Sequence, residues 1–285
     1  MISINQKSKR RLGLAIGSTL LFSAVFLLAW DTKLTLTTYS LSSDKLTKPL
    51  RILLLSDLHS CVYGEGQREL LEQVEALSPD LILLAGDMLD DDMPHEPGKL
   101  VLRALGAAYP CFYVPGNHEH LSGELNELLA FIQDCGIMVP IGACAPIEIQ
   151  GQLLQICGMD DPIYLGQDTV LLQAERAKRA ADPAYYTILL THRPEQLTAL
   201  RPLGYDLIVA GHAHGGQWRL PGGKNGLYAP HQGLFPSYSG GIYPLGDTTG
   251  IVSRGLSRES TRVPRLCNPP ELVLITLTPK SEEPY

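Results

Sequence analysis

The sequence predicts an α/β protein in which two packed mixed β-sheets are flanked by helices, preceded by one N-terminal transmembrane helix. Three observations predict it. Short apolar runs alternate with polar loops and helical stretches through most of the chain, while the later runs follow one another more directly. The first apolar run is different in kind, because residues 12–30 form a 19-residue stretch without a charge. A composition of 45% hydrophobic and 19% charged residues excludes a disordered chain.

Charge separates the two parts. The protein has 285 residues with 23 Lys and Arg against 30 Asp and Glu, a net charge of -7 that argues against nucleic-acid binding through a broad basic face. Lys7, Lys9, Arg10 and Arg11 lie in a basic tail, residues 1–11, which contains no acid. The rest carries 19 basic and 30 acidic residues, or -11. As a helix rising ~1.5 Å per residue, the run 12–30 nearly matches a hydrocarbon core of roughly 30 Å. It is longer than the apolar core of a cleavable signal and ends in Leu27, Leu28 and Trp30, so an uncleaved anchor is expected. Cations ahead of the run place the N-terminus in the cytoplasm and the remaining chain outside the cell membrane. Arg10-Arg11 resembles a twin-arginine export signal, with Gly13 where a bulky apolar residue is usual.

After the anchor, residues 31–48 read as a tether that ends in an edge strand, 49–279 as one domain, and 280–285 as a tail. Strands are expected at 50–55, 81–85, 111–114, 187–190, 207–210, 250–253 and 272–277. Helical spacing marks 69–77, 121–133 and 168–181. Segments 146–149 and 153–157 flank Gln150-Gly151-Gln152 and read as a hairpin. The Gly-, Pro- and aromatic-rich stretch 221–243 reads as a long ordered loop, a candidate rim beside the membrane. Six cysteines, without a Cys-x-x-Cys pair and often in strand-like surroundings, read as ordinary buried thiols.

The polar residues fall directly after the apolar strands. Asp57 and His59 end the first, Gly86-Asp87 the second, and Gly116-Asn117-His118-Glu119 the third. His192 ends another, and Gly211-His212-Ala213-His214 the next. A lone Asp in such a place is more often a turn residue or a helix cap, and a lone His a satisfied side chain. Capping alone does not require five of the eight histidines at these ends. Open α/β sheets gather their sites at the carboxyl ends of strands, and a mixed Asp, Asn and His set suits two divalent metals of the Mn, Fe or Zn type.

In this order, Asp-x-His, Gly-Asp, Gly-Asn-His-Glu, a lone His and Gly-His-x-His resemble the signature of the calcineurin-like metallophosphoesterases over residues 50–277. Gly215-Gly216-Gln217, Ser253-Arg254-Gly255-Leu256, Arg265 and Pro270-Glu271-Leu272 are similar to the bacterial membrane-associated branch, whose members often carry an anchor or a twin-arginine signal. The resemblance implies a four-layer α/β/β/α sandwich. It implies one metal on Asp57, His59 and His214, a second on Asn117, His192 and His212, and Asp87 bridging them. It also implies hydrolysis of phosphodiester or pyrophosphate bonds by metal-activated hydroxide, with manganese the first choice of metal. His118 becomes the catalytic general acid, with Asp90 positioned to orient it. The rest of Asp90-Asp91-Asp92 reads as a solvated acidic turn. Arg193 and Arg254 are candidates either for a phosphate or for structural ion pairs, and His120 and His231 read as surface histidines without a role, with substrate contact the alternative. The implied partner is a phosphorylated, lipid-linked small molecule at the membrane. Two alternatives remain: a diacylated UDP-glucosamine pyrophosphatase of lipid A synthesis, whose site would face the cytoplasm, and a non-catalytic scaffold, which ligand loss would betray. No ligand position is missing here.

Overall fold

The computed structural model describes residues 33–220, 223, 225–258 and 265–280. The predicted anchor at 12–30 lies outside them, and no helix among the described residues is long and apolar enough to cross a membrane.

The first strand, β1 (Thr35–Ser43), is followed by β2 (Leu50–Leu55), α1 (Arg68–Leu77), β3 (Leu81–Ala85), α2 (Glu96–Ala108) and β4 (Cys111–Val114). After α3 (Asn117–Leu121) and α4 (Leu125–Asp134) come the hairpin β5 (Cys144–Ile149) and β6 (Gln152–Gly158). Helices α5 (Pro162–Leu165) and α6 (Gln167–Ala180) lead to β7 (Tyr186–Leu190), α7 (Leu197–Leu200) and β8 (Leu207–Ala210). A small ribbon, β9 (Tyr228–Ala229) and β10 (Gly233–Leu234), precedes β11 (Gly241–Leu245), β12 (Thr248–Val252) and β13 (Glu271–Pro279).

Two sheets result, with strand orders β1-β13-β2-β3-β4 and β11-β12-β8-β7-β6-β5. Side chains alternate across each strand, and the two faces have different partners. Ile52, Leu54, Leu83 and Phe112 of the first sheet meet Ile156, Ile188, Leu190 and Val209 of the second in a core between the sheets. The odd-face residues Leu53, Leu55 and Leu84 pack instead under Leu70 and Val74 of α1 and Val101, Leu102 and Leu105 of α2. Leu189 and Ile208 pack under Val170 and Ala174 of α6. The longer helices bury one stripe and the central strands β2, β3, β4, β7 and β8 nearly all of both faces, which is why those strands read as continuous apolar runs. The outcome is the four-layer α/β/β/α sandwich.

Several elements differ from expectation. The tether holds a nine-residue edge strand, β1, which pairs in parallel with β13 from Thr35↔Glu271 to Ser43↔Pro279. Helix α2 is not signalled by any sequence reading, although its buried Val101, Leu102 and Leu105 have helical spacing. The helix expected over 121–133 is two helices, broken at Gly123, whose φ of +75° suits glycine. The stretch 221–243 contains the β9–β10 ribbon rather than loop alone.

The cysteine expectation is corrected at one pair. The hairpin turns on Gln150 and Gly151, both at positive φ, and its register sets Cys144 directly opposite Cys157, where they form a disulfide. Cys61, Cys111, Cys135 and Cys267 form no disulfide. The bond spans 13 residues of sequence, so its loss should cost about 2–4 kcal/mol through the unfolded chain's entropy. Urea unfolding with and without reductant measures this. Identical midpoints would contradict it, as would a Cys144→Ala/Cys157→Ala chain as stable as the parent.

Candidate metal centre

The parallel strands β2, β3, β4, β7 and β8 end along one edge of the two sheets, and the polar motifs occupy the turns that follow. These turns are stitched together by backbone. Asp57 N–H donates to the Gly86 carbonyl at 3.0 Å and His59 N–H to the Asp87 carbonyl at 2.9 Å. The carboxylate of Asp57 accepts the His212 N–H at 2.9 Å, joining the end of β2 in one sheet to the end of β8 in the other. Asp57, His59, Asp87, His212 and His214 all hold positive φ, between 46° and 67°. Non-glycine residues rarely adopt that conformation, and it clusters where surrounding structure enforces a functional geometry.

Glu119 explains why the third motif ends in a carboxylate. It is fully buried and accepts N–H bonds from Gly116 and Asp87 on one oxygen, at 2.8 and 2.9 Å, and from Leu89 on the other, at 3.0 Å. It therefore clamps the second and third motifs together. Gly116 allows the approach: a Cβ there would lie 2.2 Å from Asp87 Oδ1.

The predicted residues converge. Donor atoms of Asp57, His59 and His214 lie within 4.8 Å of one another, as do those of Asp87, His192 and His212. A third set of the same tightness joins His59, Asp87 and His118, so Asp87 stands between the two groups. Its Oδ2 is 3.0 Å from His192 Nε2 and 3.7 Å from His59 Nε2. Asn117 is buried on the adjoining turn, where the next residue, His118, donates its N–H to Asp87 Oδ1 at 2.9 Å.

The donors fit divalent cations by two further criteria. His59 Nε2, Asp87 Oδ2 and Asn117 Oδ1 are buried and carry no aligned hydrogen bond among the described residues. Buried polar atoms are rarely left so, and these three belong to the cluster. The imidazoles are also oriented from behind. His192 donates Nδ1–H to the Ala85 carbonyl at 2.7 Å, and His59 Nδ1 meets Asp90 Oδ2 at 2.8 Å, leaving each Nε2 for a ligand role. Ser257 Oγ meets His214 Nδ1 at 2.9 Å and is itself held by Arg265 at 3.0 Å.

Asp90 hydrogen-bonds His59 and also lies 3.5 Å from His118 Nδ1, so it faces both rings. The closer partner of His118 Nδ1 is Asp91. Asp90 is buried, so this turn is not merely solvated. The two arginines take the structural option: Arg193 is buried and grips Asp161 at 2.5 and 2.9 Å, and Arg254 pairs with Glu271 at 2.7 Å. His120 is no surface histidine but a buried one, bonded to Asp160 at 2.7 Å. His231 is exposed, yet its Nδ1 lies 2.9 Å from His212 Nε2 and 2.5 Å from Arg193 Nη1. Ser257 carries no signal in the sequence, and Asp91, Arg265 and His231 are noticed there without these contacts.

Protons and cations compete for the cluster. Burial opposes the charged form of His59, but the Asp90 hydrogen bond and the Asp87 charge outweigh it and raise it to about 9. Burial likewise opposes protonated His192, and Asp87 outweighs it, to about 10. Burial pushes His212 and His214 well below the usual histidine range, helped by the charges of His192 and Arg193 on the former and of His59 and Arg265 on the latter. The Asp87 carboxyl is penalised by burial yet held well below the carboxylate range by His192 and His59. A cation needs neutral imidazoles and ionised carboxylates, so it must displace protons from His59 and His192. Metal affinity should therefore rise with pH from neutrality toward about 10, the His192 value. Calorimetry in buffers of different ionisation enthalpy should detect protons released on binding near neutrality. Release that is absent, or affinity that falls with pH, would contradict these protonation states.

Fold and donor set define a metal-binding α/β protein of the hydrolase type. Residues 50–216 match the calcineurin-like phosphoesterase family, and the chain belongs to it. A metallophosphoesterase of Helicobacter pylori is 29% identical over 244 residues, 84% of this chain and 62% of the relative. The chain thus spans about three fifths of that relative's length. Phosphodiesterase YaeI of Escherichia coli is 30% identical over 181 residues, covering 61% of this chain and 63% of that protein. The crystal structure of TT1561 from Thermus thermophilus superposes with a TM-score of 0.50 at 14% identity, covering 74% of this chain and 92% of that one, a likeness of fold.

Proposed function

We propose that the chain hydrolyses phosphodiester or pyrophosphate bonds with two divalent cations, manganese foremost. The observation that carries this is two adjoining donor sets, Asp57-His59-His214 and Asp87-His192-His212, linked by a third that holds both His59 and Asp87. Asp57, His59 and His214 would hold one cation and Asn117, His192 and His212 the other, with Asp87 between. Bound there, the pair would supply hydroxide near neutral pH and offset phosphoryl charge. The protein's own contribution is to fix the donors on strained turns and to hold a proton for the leaving group. His118 suits the second task. Its side chain is 30% exposed, whereas the donors beside it are buried, and its Nδ1 is engaged by Asp91. Nε2 is then the atom that gives a proton to the departing alkoxide.

The apolar run at 12–30 and its four leading cations support a membrane-anchored protein with the domain outside the cytoplasm. The Cys144–Cys157 disulfide supports the same side, because such bonds persist in oxidising compartments. It weighs against the cytoplasmic pyrophosphatase of lipid A synthesis. A membrane-resident, lipid-linked phosphoester follows as the substrate class. The test is hydrolysis: the purified chain loaded with manganese should release product from a water-soluble aryl phosphodiester. Bound metal without turnover, whichever divalent ion is supplied, would overturn the reading.

A further inference from the structure

Seven large apolar side chains between residues 218 and 242 are exposed, among them Leu220 at 79%, Phe235 at 76% and Leu234 at 66%. Trp218, Leu227, Tyr228, Leu234 and Phe235 are tied into one apron by backbone pairing, and Leu220 adjoins it through the Arg219–Gly226 bridge. Leu227 N–H donates to the Trp218 carbonyl at 2.8 Å, and Phe235 N–H to the Leu227 carbonyl at 2.8 Å. Leu234 faces Tyr228 across the β9–β10 ribbon. Trp218, Leu227 and Tyr228 line a shared cavity of about 230 Å³ with Gly216. Gly216 ends the turn that begins at His214, so the apron borders the metal donors directly.

The point where the chain enters the domain lies at the same edge. β1 runs parallel to β13, and Thr35 pairs with Glu271. Glu271 N–H bonds the Gly255 carbonyl at 3.1 Å, and Gly255 packs so closely on Asp57 that a Cβ would lie 2.7 Å from Asp57 Cβ. Thr35 is therefore only a few contacts from a metal donor. Five residue steps separate it from Trp30, the end of the apolar run, and these reach at most ~18 Å when fully extended.

We propose that the apron of Trp218, Leu220, Leu227, Tyr228, Leu234 and Phe235 docks on the lipid bilayer that holds the chain's own anchor, turning the metal-bearing edge toward the membrane surface. The short connection brings this edge to the bilayer, and exposed Trp, Tyr, Phe and Leu are the side chains that settle at headgroup level. Among the described residues these side chains are exposed, and an apolar patch of this extent marks an interaction surface. The inference rests on the anchor reading above, and phosphoester hydrolysis does not depend on it.

The chain has two tryptophans, so Trp30→Phe leaves Trp218 as the sole emitter in the full-length protein. Reconstituted in phosphatidylethanolamine and phosphatidylglycerol vesicles with brominated acyl chains, Trp218 should lose about half its emission or more relative to unbrominated vesicles. Adding Leu234→Ser and Phe235→Ser should reduce that quenching while turnover of a water-soluble aryl phosphodiester stays the same. Protein that floats with vesicles but shows no quenching overturns the docking surface and leaves the anchor standing. Protein that fails to float overturns both. Absent quenching with concentration-dependent self-association would instead assign the apron to a second copy.

Discussion

Asp87→Ala is expected to lower phosphodiester turnover by about 10³-fold or more, a rise of roughly 4 kcal/mol in the barrier. Asp87 stands between the two donor groups, with His192 Nε2 at 3.0 Å and His59 Nε2 at 3.7 Å from one oxygen. Its other oxygen accepts the His118 N–H, so the carboxylate also fixes the turn that carries Asn117 and His118. Removal leaves His59 and His192 buried without the charge that balances them, and a second cation would meet only neutral donors. Steady-state rates with metal analysis check this. The variant should retain fewer equivalents than the parent, and an unchanged rate would remove Asp87 from the site. His214→Ala should behave similarly through the first donor group.

His118→Ala should cost about 10²–10⁴-fold on an alkyl phosphodiester, the range for a positioned general acid. Metal content should be unaffected, because His118 sits beside the donors and points Nδ1 to Asp91. The loss depends on the leaving group. A nitrophenolate departs without a proton, so the same variant should be nearly normal on a nitrophenyl ester. Asp91→Asn should weaken alkyl-ester turnover less than His118→Ala. Equal losses on both ester types would assign His118 to binding or structure instead of proton transfer.

The donors were legible because each follows an apolar strand, and the strands at 50–55, 81–85, 111–114 and 207–210 end where the apolar runs end, at one sheet edge. The sandwich was legible for the same reason: runs such as 50–55 and 207–210 are apolar on both faces because both faces are covered. What supports the donors was not legible. Ser257 and Arg265 reach His214 from 43 and 51 residues away, and although Arg265 belongs to the late motif, nothing in the sequence ties either residue to His214. The choice between Asp90 and Asp91 depends on how one turn folds under two imidazoles, and adjacent aspartates look alike in sequence. The disulfide depended on hairpin register, since Cys144 and Cys157 meet only when Gln150-Gly151 forms the turn. α2 was hidden by its Glu96-Pro97-Gly98 start, which reads as a turn although Pro suits a first helical turn.

The central claim is that two cations act together at this edge, and a manganese titration of the metal-free full-length protein tests it most directly. Turnover of an aryl phosphodiester, followed against metal added per chain, should rise until two equivalents are bound and then level. Activity that saturates at one equivalent, or that survives exhaustive chelation, would contradict the account.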